Sequence, residues 1–304
     1  MNQLQHNNYL PCPANIPISE TGLVVEGGGQ RGIFTAGILD SWLAQDFNPF
    51  AVLIGTSAGA QNLSSYLSRQ KGYAKRAIMT LSSDRAFYAV KNLFSGRSAL
   101  DLDWYFKQIK LPEYQLNTQC AQAQLAHREV LFTATKSDDF SSTFLEPDEN
   151  NWLNVLKASS AIPYLYKKGV EIDNAHYLDG GIVEPIPVKK AYQQGAKKII
   201  VLRTVPSNYT EQMPWANKLK SLICSTQRCP KVLNMLTVHE TAYNESLNFI
   251  HHPPEDSEVL ELAPPRELQS HVIGSSVEAL ENDYQMGFEI GTAFLATQQA
   301  ALFK

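Results

Sequence analysis

Short apolar runs alternate with helical patterns along the first two thirds of this chain. Leu23–Glu26 and Phe50–Ile54 are brief apolar runs, and each leads directly into a glycine-containing loop. Between them, apolar side chains recur at intervals of three and four residues from Ile33 to Leu43, the spacing of a helix buried on one face. This strand–helix–strand order predicts a βαβ unit, whose parallel strands are joined by a right-handed crossover.

The same alternation continues as far as residue 204, after a stretch at 70–125 that is mixed and mostly helical in character. Further strands are predicted at Arg128–Ala134, His176–Asp179 and Lys198–Arg203, and further helices at Asn151–Ser160 and Pro187–Gln194. We therefore predict an α/β fold, with a mainly parallel central sheet at the middle of a three-layer α/β/α sandwich.

The domain organisation follows from the same pattern. The 304 residues suffice for one large α/β domain with a smaller appendage. We expect a polar N-terminal leader over residues 1–20, a core domain over 21–204 and a mostly helical C-terminal extension over 205–304. The extension is interrupted by proline pairs at Pro253–Pro254 and Pro264–Pro265.

Charge and hydropathy narrow the range of partners. Lys and Arg number 26 against 30 Asp and Glu, a net charge of −4, so we expect no nucleic-acid partner. The sequence contains neither a signal peptide nor an apolar stretch of about 20 residues, which predicts a cytoplasmic protein. Trp215–Cys224 has an apolar helical face that suits either a lipid surface, with peripheral membrane contact, or ordinary packing. The oligomeric state is not predicted.

The cysteines and histidines give no sign of a metal or cofactor. Cys12, Cys120, Cys224 and Cys229 form no C-x-x-C pair, and we expect free thiols in a reducing compartment, although Cys224 and Cys229 are close enough in sequence to bridge. The sequence has no His-Glu-x-x-His motif and no Cys/His cluster. We expect no metal and no cofactor.

A candidate nucleophile follows the second predicted strand. Gly55-Thr56-Ser57-Ala58-Gly59 has the G-x-S-x-G pattern, in which a strained strand-to-helix turn presents the serine hydroxyl above the sheet. Gly55 and Gly59 would let the chain pack closely on both sides of Ser57. The helix that follows directs its N-terminus towards the reacting centre, where negative charge develops.

The glycine loop after the first strand is a candidate oxyanion site. Gly27, Gly28 and Gly29 offer backbone N–H groups with no side chain in the way. Ser57 follows Gly29 by 28 residues, about one βαβ unit. Both loops therefore lie at the carboxyl edge of adjacent parallel strands, where sites in α/β folds form.

A dinucleotide site is the alternative for the same loop. Gly27-x-Gly29-x-x-Gly32 matches the G-x-G-x-x-G fingerprint, which needs an acid at the end of the second strand to bind the ribose. Asp40 and Asp46 both precede that strand, which instead ends in Gly55-Thr56-Ser57. The spacing therefore favours the oxyanion site, with a nucleotide-binding module or a purely structural turn as alternatives.

A candidate base ends a third strand. Asp179 is followed by Gly180 and Gly181, a sharp turn that would leave its carboxylate free to point into a cleft. An ordinary Asp-Gly turn has the same appearance. We favour the base because this is the third motif that lies at the end of a strand in one predicted sheet.

Together these motifs resemble the signatures of patatin-like phospholipases. Gly27–Gly32, Gly55–Gly59 and Asp179–Gly181 occur in the family's order, and Ala158–Pro163 resembles its segment between serine and aspartate. The resemblance covers about residues 21–204. It implies a catalytic dyad of Ser57 and Asp179 that hydrolyses acyl esters of lipids, as phospholipase A or lysophospholipase does. It also implies an oxyanion hole at Gly27, Gly28 and Gly29 with Arg31 close by.

A catalytic triad is the remaining alternative. His239, His251, His252 and His271 all follow Asp179, which gives the Ser–Asp–His order of α/β-hydrolases. The proximity of the glycine loop to the serine favours the dyad, which needs no imidazole. His251 and His252 precede two prolines and suit a solvated turn.

Overall fold

A mixed sheet of eight strands organises the residues described by the computed structural model, which are 10–12, 19–89, 98–209 and 230–302. The strands are β1 Ser19–Val25, β2 Phe50–Gly55, β3 Glu129–Lys136, β4 Ser142–Leu145, β5 Val170–Ile172, β6 Ala175–Asp179, β7 Lys198–Leu202 and β8 Glu258–Leu262. The five predicted strands thus correspond to β1, β2, β3, β6 and β7.

Helices cover both faces of this sheet. They are α1 Gly32–Leu43, α2 Ala58–Leu67, α3 Tyr73–Thr80, α4 Leu102–Gln108, α5 Thr118–Ala123, α6 Trp152–Ser159, α7 Val188–Gln193, α8 Pro230–His251 and α9 Val277–Leu302. Short 3₁₀ turns occupy Gly29–Arg31, in the loop between β1 and α1, and Gly180–Ile182, directly after β6.

The strand order is β5-β6-β3-β2-β1-β7-β8, with β4 paired to β3 beside this path. The four pairs from β3 through β2, β1 and β7 to β8 are parallel, whereas β4, β5 and β6 pair antiparallel. The prediction of a mainly parallel α/β sheet is confirmed.

Alternate side chains of the central strands enter two separate cores. Leu23 and Val25 of β1 pack with Phe34 of α1 in the larger core, while Val24 packs with Val201 in the other. This alternation is expected where a strand is covered on both faces, since successive side chains point to opposite sides. It produces the predicted three-layer arrangement.

The register of the sheet brings the ends of strands β2 and β6 to the same level. Gly55, the last residue of β2, pairs with Phe132 of β3, and Ala134, two residues further along β3, pairs with Asp179. β6 runs antiparallel to β3, and its last residue pairs near the end of β3 that lies beside the carboxyl end of β2. Ser57, two residues past Gly55, therefore lies level with Asp179.

The C-terminal region contributes a strand in addition to the helices predicted for it. Residues Glu258–Leu262 form β8, which adds a parallel strand beside β7. The sequence pattern did not predict this strand. The glutamates Glu258 and Glu261 interrupt the apolar run, so the pattern did not indicate a strand. Within the described residues, β8 lies at the edge of the sheet and pairs with β7 alone. The boundary at residue 204 stays a prediction.

The last helix packs directly on the first. A Cβ atom at Gly287 of α9 would lie 2.0 Å from the Phe34 carbonyl oxygen, and one at Gly37 of α1 would lie 2.2 Å from the Tyr284 carbonyl oxygen. Only glycine permits the two backbones to approach so closely. The Tyr284 hydroxyl also donates a 2.9 Å hydrogen bond to the buried Asp40 carboxylate.

The cysteines differ from the expectation of free thiols. Cys12 and Cys120 form a disulfide, with their Cα atoms 5.9 Å apart. The segment that carries Cys12 is held beside α2 by a hydrogen bond from the Leu10 amide to the Arg69 carbonyl oxygen. A separation of 108 residues gave no sign of this contact in the sequence. Cys224 and Cys229 lie outside the described residues.

The membrane-related predictions are tested in part. The apolar face of Trp215–Cys224 falls outside the residues that the structure describes. Among the helices that are described, none combines the length and apolar character needed to cross a bilayer.

Candidate active site

Ser57 occupies a strained turn between β2 and α2. Its φ and ψ angles are 53° and −119°, which a residue other than glycine rarely adopts. Gly59 lets the turn lie against β1, because a Cβ atom there would come within 2.2 Å of the Val25 carbonyl oxygen. Gly55 lies at the other side of the turn, against the backbone of Ala60. The turn therefore has the strand–turn–helix geometry that its motif requires.

The Ser57 hydroxyl meets a buried carboxylate. Its Oγ donates a 2.7 Å hydrogen bond to Oδ2 of Asp179, and Oδ1 of Asp179 accepts a 2.7 Å bond from the Gly181 amide. Ser57 is 8% exposed and Asp179 is 7% exposed. Burial raises the pKa of Asp179 from 3.8 to about 6, although both hydrogen bonds act to lower it. The carboxylate is thus a stronger base than an exposed one.

The segment Ala158–Pro163 holds serine and aspartate together. Oγ of Ser159 accepts a 2.9 Å hydrogen bond from the Ser57 amide, and the Ala161 carbonyl oxygen accepts one of 2.9 Å from the Asp179 amide. The sequence motif drew attention to this segment, but not to the role of Ser159. That role depends on the fold, because Ser159 and Ser57 are 102 residues apart in the sequence.

Threonine hydroxyls fix the floor of the site. Thr133 Oγ1 donates to Thr56 Oγ1 at 2.9 Å, and Thr56 Oγ1 donates to the Glu184 carbonyl oxygen at 2.8 Å. On the same strand as Thr133, Thr135 donates to the Asp179 carbonyl oxygen at 2.8 Å. These bonds connect β3 with the turns that carry the serine and the aspartate.

The glycine loop lies directly beside Ser57. A Cβ atom built on Gly27 would be 3.2 Å from the Ser57 Cβ atom. Gly29 has a φ of +58°, and a Cβ atom there would be 2.2 Å from the Val272 carbonyl oxygen. The amide of the next residue, Gln30, donates a 2.9 Å bond to that same oxygen. Within the described residues, the N–H groups of Gly28 and Gly29 meet no acceptor.

A buried charge network supports the glycine loop. Glu26 accepts a 2.6 Å bond from the Thr204 amide, and Thr204 Oγ1 donates to the Gly27 carbonyl oxygen at 2.8 Å. Arg203 lies 3.3 Å from Glu26 and also contacts Glu261 of β8. Burial would lower the pKa of Arg203, but the surrounding negative groups raise it overall. These contacts therefore hold the start of the glycine loop in place at the end of β1.

Arg31 follows the glycine loop and lines the cavity above it. Its Nε is buried without a hydrogen-bond partner, and it forms no ion pair among the residues that the structure describes. Burial lowers the pKa of its guanidinium, against the attraction of the nearby Glu26. Arg31 thus brings a basic side chain to the cavity near the loop.

Of the four histidines considered for a triad, one reaches the site. His239, on α8, lines the cavity and its Nδ1 contacts the Gly181 carbonyl oxygen. Burial lowers the pKa of His239 to about 4, so its imidazole is neutral. His251, His252 and His271 are exposed. His239 belongs to no motif, so sequence reasoning did not favour it over the other three histidines.

Two cavities meet at Ser57, and Gly29, Ile162 and Val272 form their shared rim. We name the first the helix-side cavity, because α2, α3 and α4 surround it. Apolar side chains dominate its lining: Ala74, Ala77, Ile78, Leu100, Leu102 and Tyr105. The second, the loop-side cavity, has more ionisable groups: Glu26, Arg31, Tyr209, His239 and Tyr243.

The acids required for a dinucleotide site are engaged elsewhere. Asp40 accepts bonds from the Gly72 amide and the Tyr284 hydroxyl, both at 2.9 Å, and Asp46 pairs with Arg69 at 2.7 Å. No carboxylate stands at the end of β2, where Ser57 is found. Across the described ranges, no group of three His, Cys, Asp or Glu side chains could hold a metal ion.

Comparisons with known proteins identify several relatives of this chain. The chain is 41% identical over 277 residues to the uncharacterized protein YjjU of Escherichia coli K12, a match that covers 90% of this chain and 77% of that protein. It is 24% identical over 286 residues to lysophospholipase NTE1 of Debaryomyces hansenii, of whose length it spans 17%. The crystal structure of VipD from Legionella pneumophila matches 91% of this chain and 67% of its own, with a TM-score of 0.49 and 14% identity.

Two family models match different parts of the chain. A domain of unknown function (DUF6363) matches residues 229–303, which include α8, β8 and α9. A patatin-like phospholipase model matches residues 23–192, which include the glycine loop, Ser57 and Asp179. The chain therefore belongs to the patatin-like phospholipase family, whose members are lipid acyl hydrolases.

Proposed function

We propose that this protein hydrolyses acyl esters of lipids, as phospholipase A or lysophospholipase does, through a dyad of Ser57 and Asp179. The observation that carries the proposal is the 2.7 Å hydrogen bond from the Ser57 hydroxyl to the Asp179 carboxylate. A serine hydroxyl is a weak nucleophile until a positioned base accepts its proton. The raised pKa of Asp179, about 6, suits that task near neutral pH.

The reaction has two half-reactions, and in each of them Asp179 first accepts a proton and then donates it. Ser57 Oγ attacks the ester carbonyl carbon while Asp179 takes the hydroxyl proton, which gives a tetrahedral oxyanion. Collapse breaks the ester bond, and Asp179 returns the proton to the leaving alkoxide. A water molecule then attacks the acyl-enzyme while Asp179 takes its proton. Collapse breaks the bond between the acyl carbon and Ser57 Oγ, Asp179 returns the proton to Oγ, and the carboxylic acid leaves.

The unpaired donors of the glycine loop support an oxyanion hole. The N–H groups of Gly28 and Gly29, which lack acceptors among the described residues, lie on the loop beside Ser57. The N-terminus of α2 starts at the serine itself, so its dipole favours the same negative charge. One such donor contributes about 10²–10³ in rate. Arg31 adds positive charge next to the loop.

The two cavities suggest where the acyl chain and the leaving group of an ester bind on either side of Ser57. The helix-side cavity is lined mainly by apolar side chains and would take the acyl chain. The loop-side cavity contains Arg31, whose charge is unpaired among the described residues and favours an anionic leaving group. A phospholipid or lysophospholipid has both parts.

The direct Ser57–Asp179 bond disfavours a triad, in which an imidazole would stand between the two groups. His239 instead contacts Gly181. A nucleotide-binding module is disfavoured because β2 ends in a serine and lacks the acid that would bind a ribose.

Labelling by a fluorophosphonate probe tests the proposal. We expect the protein to be labelled at Ser57, and the Ser57→Ala variant to resist labelling and to lose hydrolysis of lysophosphatidylcholine. We expect Asp179→Asn to react at least 10²-fold more slowly, because an amide cannot accept the serine proton. An unlabelled wild-type protein, or full activity in a folded Asp179→Asn variant, would refute the dyad.

A further inference from the structure

The C-terminal segment 229–303, which matches a domain of unknown function, contacts the loops on both sides of the site. His239 of α8 contacts the turn that follows Asp179, and the Val272 carbonyl oxygen accepts the Gln30 amide beside the glycine loop. Both contacts bring residues from the end of the chain to loops of the patatin-like part. The segment thus contacts each of the two loops that flank Ser57.

The protonation of His239 follows from its partner. A carbonyl oxygen can only accept a hydrogen bond, so Nδ1 of His239 must carry the proton that bonds to Gly181. The imidazole is 3% exposed and neutral, because burial holds its pKa near 4. His239 is therefore a fixed neutral donor throughout the pH range in which Asp179 titrates.

One further hydrogen bond links the contact between His239 and Gly181 to Asp179, the proposed base. Gly181 accepts from His239 through its carbonyl oxygen, and its amide donates the 2.7 Å bond to Oδ1 of Asp179. That bond orients the carboxylate so that Oδ2 faces the Ser57 hydroxyl. A shift of Gly181 would therefore change the orientation of the Asp179 carboxylate.

We propose that His239 is a positioning residue that fixes the turn at Asp179–Gly181, which makes the segment 229–303 a structural part of the active site. This inference rests on the proposed function of Ser57 and Asp179. His239 transfers no proton in it, in contrast to the histidine of a triad.

Few other groups influence the same carboxylate. The ionisable side chains around the loop-side cavity are Glu26, Arg31, Tyr209, His239 and Tyr243. The pKa of Asp179 is set by burial and by its bonds to Ser57 and Gly181. Loss of the Gly181 bond therefore raises this pKa, and the acidic limb of the pH profile moves upward.

Three variants of the full chain separate the possibilities. His239→Asn keeps an N–H donor close to the position of Nδ1, whereas His239→Phe keeps the ring and removes the donor. His239→Ala replaces the phenylalanine variant if that one does not fold. The measurements are kcat and KM for a short p-nitrophenyl ester between pH 5 and 9, with thermal melts and fluorophosphonate labelling of each variant.

We expect His239→Phe or His239→Ala to lower kcat by about tenfold to a hundredfold. We also expect the acidic limb of the pH profile of that variant to lie about half a pH unit to one pH unit higher than in the wild type. His239→Asn should keep most of the wild-type kcat and the wild-type limb. Wild-type rates and limb in a folded His239→Phe or His239→Ala variant would overturn the proposal.

Equal inactivity of folded His239→Asn and His239→Phe, with KM unchanged, would also overturn it, because it would indicate a general base. Failure of the wild-type protein to label at Ser57 would instead refute the proposed function itself.

Discussion

At the scale of single residues, the site retains two features that a fold optimised for stability would lack. Ser57 holds a positive φ of 53°, which costs about 1–2 kcal/mol in a residue with a side chain. Asp179 is buried, and no positively charged side chain of the described ranges lies within ion-pair distance of it. Both features serve the proposed reaction, since one presents the hydroxyl and the other strengthens the base.

The Asp179→Asn variant should be more stable than the wild type at pH 8. The folded state binds the Asp179 proton with a pKa of about 6, against an ordinary value of 3.8, so folding loses stability as pH rises through this window. An amide avoids this loss, which is about 2–3 kcal/mol. Urea denaturation at several pH values measures the gain, which should shrink below pH 6 and vanish near pH 4.

A substitution at the exposed Glu149 gives the matched control for this test. Glu149→Gln also removes one carboxylate, but from a solvated position. Its free energy of unfolding should stay within about 0.5 kcal/mol of the wild type. A pH-independent difference between Asp179→Asn and the wild type would contradict the argument.

The Gly28→Ala variant should lose turnover through the loop and not through unfolding. Gly28 has a φ of +148°, and an added Cβ would lie 2.7 Å from Thr204 Oγ1. The loop must shift, which displaces the oxyanion donors and lowers kcat by about 10²-fold or more. Gly195→Ala is the control, since Gly195 has a φ of +90° with no atom within 4 Å of the added Cβ. Near-normal kcat in Gly28→Ala would exclude the loop as an oxyanion hole.

At the scale of elements, the sequence pattern predicted those strands, helices and turns that depend on residues close together in the chain. The strand before Ser57, the helix after it and the three glycine-containing turns are each readable within about ten residues. β8 and the role of His239 depend on partners far along the chain: β8 pairs with β7, and His239 lies 58 residues from Gly181. The antiparallel direction of β6 also escaped prediction, because period-2 alternation is the same in either direction.

A larger side chain at Ala77 tests the assignment of the helix-side cavity to the acyl chain. Ala77 is buried on α3 and lines that cavity. Ala77→Phe should lower kcat/KM by about tenfold for p-nitrophenyl laurate and longer esters, and leave the acetate ester almost unchanged. Thr80→Phe places the same side chain at an exposed position of the same helix and should have no effect. Equal losses on long and short esters would contradict the assignment.

At the scale of the whole molecule, the end of the chain folds back onto its beginning. α9 crosses α1 with backbone contact at Gly287 and Gly37, and β8 extends the sheet beside β7. The Asp40–Tyr284 hydrogen bond connects the same two helices inside the core. The region that matches a domain of unknown function is therefore packed as part of the same α/β structure.

The Gly287→Ala variant should measure the strength of this packing. Its Cβ would lie 2.0 Å from the Phe34 carbonyl oxygen, so α1 and α9 must separate. We expect a loss of about 1–3 kcal/mol in the free energy of unfolding, as for other overpacked sites. Urea denaturation checks this value. An unchanged unfolding midpoint would mean that the helices are not in close contact.

The order of the strands has a consequence for biosynthesis. β1 is made early but lies between β2 and β7, so the middle of the sheet stays open until residue 202 has left the ribosome. α8 and α9 follow still later, and with them His239, Val272 and the cover over α1. At about 5–20 residues per second, translation of residues 203–302 would take about 5–20 s. During that time the site of the nascent chain is incomplete. A lipid hydrolase built in this way would become active only after α8 and α9 have been synthesised.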